Sequence, residues 1–223
     1  MKQYFQENEN LEAEEVQIRL ERFGHEFIFF SRRGLFSHNE VDAKSLLLIE
    51  NIPKIKGSLL DLGCGFGAIG IILTKINQSV DLVGCDINRI ALSMAEKNAE
   101  INGVSAKYLH SDCFYGVSGF FDTIALNPPI HAGKEVMYKM FRQAKEHLAP
   151  NGAFYIVIQK KHGAESSLRY LRGVYRYCEP IYKKKGTYVI ECMCEKLDTR
   201  HEIREKDFSS VIYPAKRHEL KED

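Results

Sequence analysis

The chain predicts an α/β fold: seven strands in a mostly parallel sheet, the last one antiparallel, with helices on both faces and a β-hairpin in front. Three observations carry this. From Gly57 onward, apolar runs of strand length alternate with helical segments, and strands joined through helices need crossover connections, which make them parallel. The last two runs are separated only by Lys183-Lys184-Lys185-Gly186, too short for a crossover, so they run antiparallel to each other. Ahead of Gly57, residues 14–30 alternate apolar and polar on either side of Gly24, the pattern of a hairpin.

The elements follow in order. Val16, Ile18 and Leu20 mark the first hairpin strand, and His25, Phe27 and Phe29 the second. After the loop Arg32-Arg33-Gly34-Leu35-Phe36-Ser37, residues 42–49 read as an apolar-faced helix. Strands are expected at 59–62, 80–85, 106–110, 121–126, 153–158, 178–182 and 187–194. Helices are expected at 68–76, 89–102, 135–148 and 166–175; Gly103 closes the second of these and Pro150-Asn151-Gly152 the third. This divides the chain into a hairpin and helix over 1–50, a catalytic domain over 51–195 and a polar tail over 196–223.

Composition excludes several function classes. In 223 residues, 44% are hydrophobic and 27% charged, as in an ordinary soluble domain. No run is long and apolar enough to span a membrane, and the N-terminus lacks the apolar core of a secretory signal, so a cytoplasmic protein is expected. The six cysteines show no CxxC spacing and no neighbouring His cluster. Most fall inside apolar runs and read as buried thiols, with no metal site expected. A formal net charge of +1 gives no whole-protein field toward nucleic acid, so any such contact must be local.

Asp61-Leu62-Gly63-Cys64-Gly65-Phe66-Gly67 leaves one strand and opens a helix, and its glycines let the backbone turn tightly and approach a ligand. Asp86 follows the next strand, with Ile87 beside it, placed to accept hydrogen bonds from ribose hydroxyls. Asp112, with Cys113, follows the third strand, where it could meet an adenine amino group. The spacing G-x-G-x-G departs from the G-x-G-x-x-G of dinucleotide sites. S-adenosylmethionine, a nucleoside without a pyrophosphate, suits that spacing.

Asn127-Pro128-Pro129-Ile130 follows the fourth strand on the same edge, and its prolines fix a rigid loop. The Asn side-chain oxygen and the Pro128 carbonyl can both accept from one NH₂ group. An exocyclic or carboxamide nitrogen is a poor nucleophile because its lone pair is delocalised. Two fixed acceptors pull it toward tetrahedral geometry and aim the lone pair, so positioning and dipoles supply the acceleration without a strong base.

Taken together, Asp61 to Gly67, Asp86, Asp112 and Asn127 to Ile130 resemble the Rossmann-like class I methyltransferases that carry an N-P-P motif. Asn127 to Lys134 is similar to the N-P-P-[FI]-H-x-G-K stretch of RsmC-like enzymes, and Gly34 to Ser37 with Asp42 and Leu46 to Leu48 resembles the segment ahead of their glycine loop. The resemblance covers residues 14–195. It implies a seven-stranded sheet, S-adenosylmethionine as cofactor, methylation of guanine N2 in small-subunit ribosomal RNA, and that RNA or the subunit as partner. Fuller members carry a second N-terminal domain of the same fold, many have Gly at the position of Lys44, and Phe or Tyr is commoner at that of Ile130.

Candidate substrate contacts are Arg32, Arg33, Phe36, His131, Lys134, Lys160 and Lys161, with Lys183, Lys184 and Lys185 on the final turn. Basic clusters on the ligand edge would track RNA phosphates. A monomer is favoured. The alternatives are methylation of a protein glutamine amide or of adenine N6, a non-catalytic cofactor-binding assembly factor, and a nicotinamide dehydrogenase, which the glycine spacing opposes.

Overall fold

In the computed structural model, which describes residues 14–33, 35 and 39–195, the hairpin is formed by β1 (Glu15–Arg22) and β2 (His25–Arg32). Its register pairs Arg22 with His25 across Phe23 and Gly24, both at positive φ, the backbone of a two-residue hairpin turn. The helix α1 (Ala43–Asn51) follows, capped by the Asp42 carboxylate, which accepts from the Ser45 N–H.

The remaining elements alternate as expected: β3 (Gly57–Leu62), α2 (Ala68–Ile76), β4 (Val80–Asp86), α3 (Arg89–Ile101), β5 (Ala106–His110), β6 (Phe121–Leu126), α4 (Lys134–Glu146), β7 (Leu148–Gln159), α5 (Ala164–Val174), β8 (Tyr177–Lys184) and β9 (Thr187–Met193). The seven strands order as β5-β4-β3-β6-β7-β9-β8, all parallel except β9, which is antiparallel to both neighbours. This is the Rossmann-like sheet expected from the sequence.

Alternation along the strands divides the core. Leu59 and Tyr155 face one side, with Phe27, Phe29, Leu48 and Ile71 from the hairpin, α1 and α2. Leu60, Leu62 and Phe154 face the other, with Phe141 and Leu171 from α4 and α5. The hairpin is held by side chains and not by the large sheet. Asn98 on α3 and Asn102, the C-cap of that helix one turn on, each pair with a backbone N–H and C=O of β2. Ile28 N–H donates to Asn102 Oδ1 at 3.1 Å and Asn102 Nδ2 donates back to Ile28 O at 2.8 Å; Phe30 N–H donates to Asn98 Oδ1 at 2.6 Å and Asn98 Nδ2 donates back to Phe30 O at 2.9 Å. Four helical residues rise about 6 Å and two strand residues about 6.8 Å, so the two spacings match. Asn98 Nδ2 also donates to Phe66 O of the glycine loop at 2.9 Å.

Two boundaries differ from the expectation. Strand β7 begins at Leu148, which pairs with Phe121, and Pro150-Asn151-Gly152 forms an irregularity within it before Ala153 pairs with Thr123. Asn151 sits at φ 68° there, and a side chain on Gly152 would meet the Phe121 carbonyl at 2.7 Å. The final turn is tighter than the run of lysines suggested. Lys183 and Lys184 lie in β8, and only Lys185 and Gly186, both at positive φ, make the turn.

Candidate active site

Because β5, β4, β3 and β6 are adjacent and parallel, their C-terminal ends lie on one edge. There they present Asp112, Asp86, the glycine loop and Asn127 in that spatial order. The crevice falls between β3 and β6, where successive crossovers leave in opposite directions, the usual ligand position in open α/β sheets. The loops are stitched together: Cys64 N–H donates to Cys85 O, Ser111 N–H to Asp86 O, and Gly65 N–H to Asp86 Oδ2 at 2.9 Å. Asp86 Oδ1 accepts from Asn88 N–H, and with Gly65 and Ile87 also donating, the carboxylate still keeps acceptor capacity for a ligand hydroxyl.

The glycines act as the chemistry requires. At Gly67, φ is +88° and a Cβ would press on Ile71, Tyr108 and Ala95 at 3.0–3.1 Å, so no larger residue fits beneath the loop. At Gly65, φ is +55° and a Cβ would meet nothing within 4 Å, so the loop backbone there borders open space. Gly63 is exposed and Cys64 buried. Ile87 is 38% exposed, an apolar surface beside Asp86. Asp112 is exposed and pairs with Lys139 at 3.4 Å; Cys113, buried, follows it at positive φ.

Asp61 lies wholly buried beneath this loop. One oxygen accepts from Gly70 N–H at 2.8 Å and the other has no hydrogen-bond partner among the described residues. Burial pushes its pKa up to about 7, with the Asp86 charge adding to the effect. Burial likewise raises Asp86.

Asn127 is held from a direction that sequence reasoning missed. Its Nδ2 donates to Asp42 Oδ2 at 2.8 Å and to Ser45 Oγ at 2.9 Å. A carboxylate only accepts, so the NH₂ must face α1 and the amide oxygen must face away from it. Both donors of that NH₂ are engaged, and Asn127 is left to the crevice as an acceptor. Pro128 is buried; the Pro129 carbonyl accepts from Ala132 N–H, while the Pro128 carbonyl accepts from no other described residue. Ile130 opens a single 3₁₀ turn, Ile130–Ala132, and is half-buried against the α4–α5 side of the core.

The basic residues gather on the far side of Asn127. Lys160 N–H donates to Gly186 O at 2.7 Å, joining Lys160 and Lys161 to the turn that carries Lys183, Lys184 and Lys185, all exposed. Lys183 lies over the Tyr188 ring at 4.9 Å. Lys134, at the start of α4, lies over Gly163 at the start of α5. The His162 imidazole is held below its ordinary value, first by burial and then by Lys161, Lys44 and His131, so these groups share one electropositive corner. Arg32 pairs with Glu15 across the hairpin at 3.1 Å, and Arg33 is exposed beyond it. Phe36, with Gly34 and Ser37, lies outside the described residues.

A family model described as the methyltransferase small domain matches residues 26–191. The chain belongs to that family. Among relatives of this methyltransferase, YbxB of Bacillus subtilis, an uncharacterised protein, is 36% identical over 193 residues, 84% of this chain and 96% of its own length. Ribosomal RNA small subunit methyltransferase C of Vibrio parahaemolyticus is 33% identical over 157 residues, 67% of this chain but only 44% of its own length. The Thermus thermophilus 16S rRNA N2 G1207 methyltransferase, solved with AdoMet and guanosine, superposes with a TM-score of 0.72 at 26% identity, covering 81% of this chain and 51% of that one. The chain thus spans about half the length of the ribosomal RNA enzymes it matches. Among its described residues no group of three or more His, Cys, Asp or Glu could hold a metal, and no helix is long and apolar enough to cross a membrane.

Proposed function

We propose that this methyltransferase transfers the methyl group of S-adenosylmethionine to the exocyclic N2 of a guanine in small-subunit ribosomal RNA. The observation that carries the reading is the fixed orientation of Asn127. Its amide oxygen and the Pro128 carbonyl can accept both hydrogens of one NH₂ group, holding the nitrogen lone pair toward the glycine-loop side of the crevice. The crevice fits the cofactor: Gly65 leaves open space, Asp86 keeps lone pairs for ribose hydroxyls, Ile87 offers an apolar face, and the unpartnered Asp61 oxygen suits a cationic ligand. When bound, S-adenosylmethionine supplies a methyl carbon on a sulfonium that leaves as a neutral thioether. The chain's own work is to hold the amine, exclude rotation about its C–N bond, and offer negative dipoles as the nitrogen becomes positive before its proton passes to solvent. The named relatives support ribosomal RNA as the target; Ile130, where an aromatic ring could have stacked on a base, packs against it as an apolar wall.

The test is transfer of labelled methyl groups to naked ribosomal RNA, small subunits and total cell protein in parallel, with Asn127→Ala as control. Label recovered as N2-methylguanosine and lost in the control is the expected result. Label confined to protein would move the activity to an amide substrate.

Two further outcomes are expected. Since cofactor binding favours an ionised Asp61, affinity for S-adenosylmethionine should rise with pH up to about 7, by as much as about tenfold per unit, and level off above. The same raised pKa makes Asp61 contribute stability that is fully present below about pH 4 and lost as pH rises through about 7. Asp61→Asn should flatten both profiles, read by calorimetric titration and thermal melts. Second, changing Lys183, Lys184 and Lys185 together to alanine should weaken RNA binding and reduce the salt slope of log K by about 2–3. An unchanged slope would remove this turn from the RNA path.

A further inference from the structure

The near-neutral chain conceals a strong asymmetry. Residues 130–185 contain twelve Lys and Arg against four Glu, whereas residues 14–129 contain eleven against fourteen Asp and Glu. The fold places the first group on one side of the molecule. Helices α4 and α5 both start at the catalytic edge and run side by side away from it. They touch at Lys134 over Gly163, then at the Tyr138 and Tyr170 rings, stacked at 4.0 Å, and finally where Lys145 Nζ donates to Val174 O at 2.7 Å. Arg142, exposed, donates to the Tyr170 hydroxyl at 2.6 Å; Arg169, next to that tyrosine on α5, and Arg176, just past the end of α5, are exposed too. Of the four glutamates, Glu165 and Glu179 are already paired with Lys160 and Arg172, leaving Glu135 and Glu146, while Lys139 of α4 pairs with Asp112 from the end of β5.

We infer that the outer face of α4 and α5 is a second RNA-binding surface, which carries the phosphate backbone away from the catalytic loop along about 20 Å of helix. This rests on the reading of RNA as substrate and extends it: the enzyme grips a structured stretch flanking the target, not the target nucleotide alone. Three features support it. Helices α4 and α5 themselves carry six Lys and Arg against three Glu. They are continuous with the lysine corner beside Asn127 through Lys134 and Lys160. The opposite half, which holds the glycine loop and Asp86, is acidic, so a polyanion is drawn to one side of the catalytic edge and away from the other. A guanidinium beside stacked tyrosines is a combination that nucleic-acid surfaces use.

The test uses a fluorescently labelled fragment of small-subunit ribosomal RNA and binding measured by anisotropy over a range of KCl. The variant Arg142→Gln/Arg169→Gln/Arg176→Gln removes three charges from this face. A control, Lys54→Gln/Lys56→Gln/Lys107→Gln, removes three exposed charges elsewhere. The face variant should bind about 10–100-fold more weakly at low salt, with a slope shallower by about 2–3, while the control stays within about threefold of wild type. Affinity for S-adenosylmethionine and the melting temperature, measured on the same samples, report that the variant is folded. Equal losses in both variants would mean a mere net-charge effect and overturn the inference. Wild-type affinity and slope in the face variant would overturn it too, leaving the substrate reading intact. Failure of the wild-type enzyme to bind RNA at all, with methyl label found only in protein, would remove the substrate reading itself and this face with it.

Discussion

Asn127→Ala lowers kcat by about 10²–10³-fold, the loss expected when one preorganised acceptor is removed from a developing charge. The more informative result comes from the residues behind it. Asp42 touches no substrate; it is a positioning residue, holding Asn127 Nδ2 at 2.8 Å while its carboxylate also caps α1. Asp42→Ser keeps a good helix cap, so the melting temperature should move little. It frees the Asn127 amide to flip, which would point NH₂ instead of oxygen at the amine. A kcat loss of about 10–100-fold is expected, with little change in affinity for S-adenosylmethionine. The decisive comparison is the double variant. If Asp42 acts through Asn127, then Asp42→Ser in an Asn127→Ala background costs almost nothing more, because residues that act as a unit are not additive. Losses that multiply would show a separate, structural role for Asp42.

The largest stability effect is expected at Asn98. Its side chain is fully buried and serves Phe30 N–H, Phe30 O and Phe66 O together. Asn98→Ala leaves those three backbone groups, the Phe66 carbonyl buried and the two Phe30 groups part-buried, without their partner at about 1–3 kcal/mol each. A total near 3–5 kcal/mol would lower the melting temperature by roughly 10 °C in a protein of this size. Because one of the three bonds goes to the glycine loop, affinity for S-adenosylmethionine should fall along with stability. A surface variant of similar destabilisation would not produce that second loss. Calorimetry on Asn98→Ala and Asn102→Ala separates the two effects, since Asn102 holds Ile28 but makes no bond to the loop.

Much of this was legible in the sequence because it depends on local pattern. The seven strands, their helices and the reversed final strand follow from alternation and connection length. Asp61, Gly63, Gly65, Gly67, Asp86, Asp112 and Asn127 gather at one edge because each lies at the end of a parallel strand or in the loop that follows it. What remained hidden depends on contacts distant in sequence. Asp42 and Asn127 are 85 residues apart, and nothing near either announces the pair. The two asparagines of α3 look like ordinary polar positions until a strand with the matching rise lies beside them. The early start of β7 was missed because Pro150-Asn151-Gly152 carries a strong turn signal, overridden when Leu148 and Ala153 both pair with β6. The charge asymmetry was masked by a net charge that sums two opposed halves.

The asparagine clasp on β2 also bears on how molecules of this enzyme avoid one another in a crowded cell. A two-stranded hairpin has two rows of unpaired backbone groups, each a template for edge-to-edge association. Here α3 occupies the β2 row with amide groups, so no foreign strand can add there. The β1 row carries Glu15, Gln17, Arg19 and Glu21, with Glu15 drawn to both Arg32 and Lys97. Charges spaced along that row discourage a second chain from pairing in register. Loss of Asn98 or Asn102 would uncover the β2 row, whose neighbours are the apolar Phe27 and Phe29, and turn a folding defect into aggregation.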